Sequence, residues 1–348
     1  MYKNIYKYDD MKRREHMAVR EHVGWYLWTH QLVEVQGEDA RDFLDLLCTK
    51  MISTLKTGKE RYTTILDENA EIIDDVVVFR LEEQKFWVST LFAGNLIHWM
   101  ASHQGNRKIT YKDVTDQYHM YAVQGPDSME MINKLTKNPI DELKFFSFEK
   151  NQIEELPVII NRAGFTGEKK GYEIYVAADQ ADRIEELLHK TGDAMGAVEV
   201  TEFQVMAWTL PTEAGFYYMR DLRHTNPLEV GMEKGIGWDK EFIGKEALLK
   251  IKEEVPLREM VGFTVDEADV YIQGRHLGGP GQAVLVDGEE VGRVYKFVYS
   301  YVKDRNIGYI LARKNTLKPG DKIKINGYDA EITENIFFKG GITNEIGK

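Results

Sequence analysis

Alternating apolar and polar positions mark the first third and the last quarter of the chain, and helical spacing is interleaved with strands between them. KERYTTIL (59–66), EIIDDVVVFRL (71–81) and KFWVSTLF (85–92) are rich in β-branched and aromatic residues and read as consecutive strands, with EEQK as the tight connection before the last. VEVQGEDARDFLDLL (33–47) and YAVQGPDSMEMINKL (121–135) share one layout: an alternating strand, a Gln-Gly-x-Asp turn, then a helix apolar on one face. In each, Gly37 or Gly125 permits a tight turn, and Asp39 or Asp127 suits the helix N-terminus as cap or dipole partner. Between about 155 and 250 strands (LPVIIN, GYEIYVA) alternate with helices. DQADRIEELLHK opens near Asp179 and is expected to close at Gly192, with Ile184, Leu187 and Leu188 as its buried stripe. Beyond about 256 come short strands and strong turn signals, Asp-Gly at 287–288 and Asn-Gly at 326–327, which predict type I′ hairpins and a small β-barrel or sandwich. GGPG (278–281) reads as a loop.

EIIDDVVVFR (71–80) sets two carboxylates into this apolar pattern. Successive strand side chains point to opposite faces, so Asp74 and Asp75 cannot look the same way, and one is expected to face inward. By residue type alone the pair fits better as two strand-end acids, one solvated and one capping a backbone N–H.

Composition narrows the classes. Single cores stop growing near roughly 250–300 residues, so 348 residues imply two or three domains. No apolar run approaches the ~20 residues needed to span a bilayer, and the N-terminal stretch lacks a signal-peptide core, so a cytoplasmic protein without a membrane partner is expected. A net charge of −12 argues against general nucleic-acid binding. Cys48 is the only cysteine, which excludes an internal disulfide or a multi-cysteine metal site, and its helical apolar setting reads as core. The nine histidines show no HExxH or other ligand spacing, so no metal is expected.

GKERYTTILDENAEIIDD (58–75), NRAGFTGEKKGYEIYV (161–176) and TNPLEVGMEKGIGWDKEFIGKEALLK (225–250), in this order, resemble the aminomethyltransferase family that includes the glycine-cleavage T-protein and folate-dependent demethylases. AVREHVG (18–24), QGP (124–126) and the region from MVGF (260–263) extend the resemblance over nearly the whole chain. It implies an α+β, three-domain ring: ferredoxin-like-type α+β domains and a C-terminal antiparallel β-barrel around a central funnel for tetrahydrofolate. The expected domains are 1–30 with 119–255, which bind folate; 31–118, β-rich and carrying the catalytic acid; and 256–348, the barrel.

The resemblance puts Asp75 at the family's catalytic acid, where a fixed carboxylate stabilises the charge on an attacking amine. Asp74 is then the outward, structural partner. Glu173 matches the acid that reads the pterin ring, Tyr62 a funnel tyrosine, and Arg162 and Phe165 belong to the folate-binding RAGFTGE motif, Phe165 replacing a tyrosine. Where the T-protein pattern reads A-R-D-x-x-R-L-E-A, MAWTLPTEA (206–214) has Ala207 and Pro211 at the arginines and Trp208 at the aspartate, keeping Glu213 and Ala214. The family's G-W-x-M-P-L-x-Y segment has no counterpart before AVREHVG. Trp25, Trp208, Tyr217 and Tyr218 are the aromatic candidates for a donor site, and Arg220 and His224 for an anionic donor or the folate tail. Tyr217, Tyr218 and His224 are also candidate proton donors by location.

These changes favour a methyltransferase or demethylase moving a methyl group from a small O-, N- or S-methyl compound to tetrahydrofolate. The alternative is the T-protein reaction, with a lipoyl carrier protein as partner. A folate-binding iron–sulfur assembly protein ranks last, because RAGFTGE lacks the cysteine of that branch.

Overall fold

A computed structural model of the chain describes residues 3–28, 31–254, 257–276 and 279–339. The domain limits expected at 30 and 256, Gly278 of GGPG and residues 340–348 lie outside the described residues. The fold is α+β with a C-terminal barrel.

The alternating segments between 31 and 113 pair into an antiparallel five-stranded sheet, ordered Glu60–Leu66, Ile72–Glu82, Lys85–Thr90, Gln31–Gln36, Thr110–Asp113. Helices Ala40–Leu47 and Ala93–His103 cover one face, where Phe43, Leu44 and Met100 meet Val33, Val76 and Val78. A second, six-stranded sheet is ordered Val198–Glu199, Gly24–Trp28, Tyr118–Gln124, Gly171–Ala177, Leu156–Arg162, Ser147–Ile153, and only its first pair is parallel. Helices Ser128–Leu135 and Ala181–Met195 cover one face of it. The other faces of the two sheets meet, with Phe79 packed 5.5 Å from Phe148 and 5.6 Å from Tyr175, centroid to centroid.

Both Gln-Gly-x-Asp turns require glycine. Gly37 has φ +138° and Gly125 φ +124°, and a Cβ would sit 2.2 Å from the Lys108 carbonyl oxygen or 2.5 Å from that of His22. Asp39 and Asp127 stand at the N-cap positions, but neither side chain bonds into its helix. Asp39 accepts instead from the Lys108 amide at 2.7 Å, because the turn presses it against the neighbouring chain. The helix expected to stop at Gly192 runs on to Met195 and is capped by Gly196 at φ +74°. Gly192 serves close approach, since a Cβ there would lie 3.2 Å from that of Ala197.

The last third forms an antiparallel sheet ordered Ala283–Val286, Glu289–Ser300, Arg305–Arg313, Arg258–Val265, Tyr328–Thr333, Lys322–Ile325, and its two end strands face each other in a nearly closed barrel. Asp287 and Gly288, and Asn326 and Gly327, all have positive φ, as type I′ turns require.

Asp74 departs from expectation. The pleat separates it from Asp75, yet its face is the one covered by helices, so it is buried rather than solvated. The Thr90 hydroxyl donates to it at 2.6 Å, no cation pairs with it among the described residues, and burial pushes its pKa up to about 8. The folded state therefore holds a proton that the unfolded state releases above the ordinary aspartate range, so stability declines as pH climbs towards 8. Asp74→Asn should remove that decline: melting curves from pH 5 to 9 should converge at the acid end and separate at the alkaline end, with the variant higher. Parallel curves would refute a buried, protonated Asp74.

Glu213 joins three parts of the chain. It is fully buried and accepts from His16 Nε2 (2.9 Å) and Arg20 Nε (3.0 Å) of the first helix, and from Ser300 Oγ (2.5 Å) and the Val302 amide (3.3 Å) of the barrel. Burial opposes its ionisation, but His16 and Arg20 outweigh burial and hold its carboxyl below the ordinary glutamate range. A lowered acid pKa contributes stability above the unfolded value, near ~4.3, that is lost as pH falls below it. Glu213→Gln should destabilise the protein by about 3–5 kcal/mol at pH 7, and its melting temperature should fall less steeply than the wild type's between pH 5 and 3.

Candidate functional site

Where the two sheets and the chain leading into the barrel converge, a cavity of about 480 Å³ opens. That volume lies within the range of small-molecule sites, about 300–1,000 Å³. Asp75, Val77 and Phe79 line it as alternate residues of one strand face. The register shifts between the pairs Ile72–Leu66 and Asp74–Ile65, leaving Ile73 as a bulge directly before the acids. Tyr62, from the adjacent strand, donates its hydroxyl to Asp75 at 3.1 Å. Burial pushes the Asp75 carboxyl up to about 6, the Tyr62 hydrogen bond pulling the other way. Burial and the neighbouring Asp75 hold Tyr62 protonated.

A second polar group lies between the sheets. Glu173 and Glu60 both line the cavity and both accept from Asn161 Nδ2 at 2.9 Å, and Tyr175 donates to Glu173 at 3.1 Å. Burial, then the nearby Glu173 charge, holds Glu60 well above its ordinary value, and burial also raises Glu173.

The walls are largely aromatic: Trp28, Phe79, Phe146 and Phe165. Phe165 packs 4.5 Å from Trp28, a contact that uses the ring and needs no hydroxyl. Phe146 is held at φ +56°, a conformation non-glycine residues rarely adopt. Tyr217 and Tyr218 complete this side, Tyr217 accepting from Asn335 Nδ2 at 2.6 Å. Ala207 and Pro211 also line the cavity, carried by the π-helix Val205–Thr209 and the short helix Leu210–Glu213. The lysines on the wall are Lys50 and Lys234. Lys50 lies 6.0 Å from the Tyr62 ring and its pKa is lowered by burial.

The cavity thus gathers Tyr62, Asp75, Phe165, Glu173, Tyr217 and Tyr218 from the sequence candidates. The others lie elsewhere. Trp25 is core, buried beside Tyr121 and edge-on to His189, because its side of the strand faces the covering helices. Arg162 directs its guanidinium to the carbonyls of Leu143 and Lys169. Trp208 packs towards the barrel core with the Arg220 guanidinium over its ring at 4.7 Å. His224, at φ +60°, pairs with Glu71 at 2.8 Å and borders a separate surface cleft with Arg258, Arg275 and Arg293. Glu60, Asn161, Tyr175 and Lys50 are cavity-associated residues that sequence reasoning missed. Glu60 and Tyr175 carried a signal, each standing two positions from a predicted residue, Tyr62 and Glu173, on the same strand face.

Comparisons with known proteins agree with this architecture. The family model described as GCVT N-terminal domain matches residues 1–240, and that described as glycine cleavage T-protein C-terminal barrel domain matches 258–339. Proteins named aminomethyltransferase from Thermotoga petrophila and Halothermothrix orenii are 30% and 31% identical over 95% and 92% of this chain, and over 91% and 88% of their own lengths. The one from Thermoanaerobacter pseudethanolicus is 32% identical over 89% of this chain and 84% of its own. The crystal structure of glycine cleavage system aminomethyltransferase T from Bartonella henselae shares the fold, with a TM-score of 0.83 at 22% identity, covering 95% of this chain and 90% of that one. The chain belongs to the glycine cleavage T-protein family of tetrahydrofolate-dependent transferases.

Proposed function

We propose that this chain transfers a one-carbon group to tetrahydrofolate in the cavity, with Asp75 as the catalytic carboxylate. The observation that carries the reading is Asp75 itself: a carboxylate on the cavity wall, bonded to Tyr62 and raised to about 6, so that it is ionised at neutral pH yet basic enough to take a proton. The residues present fit a reduced folate. Glu173 offers an acceptor oxygen to the amino and N–H edge of the pterin, the aromatic walls suit its ring system, and Lys50 and Lys234 are wall cations for carboxylates of the glutamate tail.

Tetrahydrofolate supplies the secondary amine that accepts the carbon. As the amine bonds to the carbon, the carbon's bond to the donor breaks and its electron pair departs with the donor heteroatom; Asp75 stabilises the positive charge developing on the amine and receives its proton, while Tyr62 fixes the orientation of the carboxylate. The enclosing aromatics exclude water and strengthen that electrostatic interaction.

The relatives' name, aminomethyltransferase, favours an aminomethyl group as what is moved, and its delivery by a lipoyl carrier protein is the first reading. A small methylated compound is the second. Ala207 and Pro211 on the wall, at the positions of the family's two arginines, support it, as do the surrounding aromatic rings. Neither reading calls on His224 or Arg220, which stand away from the cavity.

Incubation with tetrahydrofolate and either the loaded carrier or a panel of methylated donors, followed by identification of the folate formed, separates the two. Methylenetetrahydrofolate with released ammonia supports the first, methyltetrahydrofolate the second, and turnover with neither donor would refute folate-dependent transfer. On the competent donor, Asp75→Asn should lose about 10²–10³ in kcat. Wild-type kcat/KM should rise through about pH 6 as Asp75 ionises, and that limb should vanish in the variant. A variant within twofold of wild type would remove Asp75 from the mechanism.

A further inference from the structure

Glu60 belongs to none of the roles assigned so far. It is 3% exposed at the start of its strand, where its amide donates to the Phe146 carbonyl and so ties the first sheet to the second. Its Oε2 accepts from Asn161, but its Oε1 is buried and has no hydrogen-bond partner among the described residues. A buried carboxylate oxygen without a donor is costly to maintain, so it marks a place where a ligand donor belongs.

Glu173 makes the case stronger by what it already holds. Its Oε2 accepts both from Asn161 and from Tyr175, which fills the two lone pairs of that oxygen. Glu173 therefore cannot offer both oxygens freely to a bidentate partner. Asn161 has only two amide hydrogens, and one goes to each glutamate. No lysine or arginine pairs with either acid among the described residues. Two adjacent buried carboxylates thus await donors that the protein does not supply.

We propose that Glu60 and Glu173 form a two-carboxylate subsite for the edge of a ligand that presents several converging N–H donors. This rests on the folate reading, and it assigns the 2-amino-4-oxopyrimidine ring to the pair. That ring carries three hydrogens on one edge, two on the amino group and one on the neighbouring nitrogen. Glu173 Oε1 and Glu60 Oε1 supply the open acceptors, and Asn161 holds the two side chains in register. Glu60 is a specificity residue for the amino group, whereas Asn161 and Tyr175 are positioning residues.

The test uses calorimetric binding of 5-formyltetrahydrofolate and of its analogue with methyl in place of the 2-amino group. Wild type should prefer the amino compound. Glu60→Gln should weaken that compound about 10- to 100-fold, the range of a lost charge-assisted hydrogen bond, and the analogue much less, so that the preference collapses. Glu60→Ala, which cannot turn an amide N–H towards the ligand, should collapse it as well. The preference ratio is read only on folded protein and does not respond to a general loosening of the site. An unchanged ratio in both variants would overturn the role of Glu60 while leaving folate binding intact. Failure of wild type to bind either compound would instead overturn the folate reading and this inference with it.

Discussion

A single buried negative charge, that of Glu213, fixes the relation between the cavity and everything around it. A carboxylate in an apolar interior is tolerated only when paired and hydrogen-bonded. Glu213 meets that demand with donors from separate parts of the chain: His16 and Arg20 from the first helix, Ser300 and Val302 from the barrel. Its own carbonyl accepts from Phe337 and Phe338 near the end of the described chain. Arg20 extends the network to Glu168 at 2.6 Å and to the Thr166 carbonyl, anchoring the RAGFTGE loop whose Ala163, Gly164 and Phe165 line the cavity. The wall segments are therefore placed by charge pairing outside the cavity, which leaves the cavity surface free to vary.

The cavity itself separates two kinds of carboxylate by their surroundings. Asp75 has the Tyr62 hydroxyl beside it and stands at about 6, poised between ionised and protonated. Glu60 and Glu173 share a single amide, and burial raises both, Glu60 well above its ordinary value. Asp74, one residue from Asp75 but across the sheet, faces hydrocarbon and stands near 8. Residue type is constant among these acids to within one methylene. Enclosure and hydrogen-bond partners account for the differences: one acid faces a tyrosine hydroxyl on the cavity wall, two share an amide between the sheets, and one is buried under helices on the far face.

Much of the fold was legible because it follows from local rules. The strand periodicity, the two Gln-Gly-x-Asp turns and the two type I′ hairpins each depend on a few neighbouring residues. Failures came where a distant element intervened. Alternation placed Asp74 and Asp75 on opposite faces, but only the helices packed on the far face make that side dry. Gly192 reads as a helix stop until Ala197 and Met131 are seen pressing on it. Trp25 and Trp28 lie three apart on one strand and end in a core and in the cavity. His224 and Arg220 sit close in sequence to Tyr217 and Tyr218 yet diverge from them, Arg220 over Trp208 and His224 towards Glu71. The carboxylate pair was hidden because its members come from different sheets, 60 and 173 meeting only through Asn161.

The segment 206–214 shows how placement and recognition can be separated within nine residues. Glu213, kept from the family pattern, points into the buried ion network and holds the segment in place. Ala214, also kept, lines the cavity and is packed so closely that a Cβ on Gly167 would lie 2.3 Å from its own. Ala207 and Pro211, which depart from the pattern, face the cavity. The helix period makes this division unavoidable: positions 207 and 211 are four apart and share a face, and 213 lies round the cylinder from both. Replacing two guanidiniums on the cavity face withdraws two positive charges and five donors apiece from the site, without touching the contacts that set the wall's position. The chain can thus keep the family's fold while presenting an altered surface on this wall of the cavity.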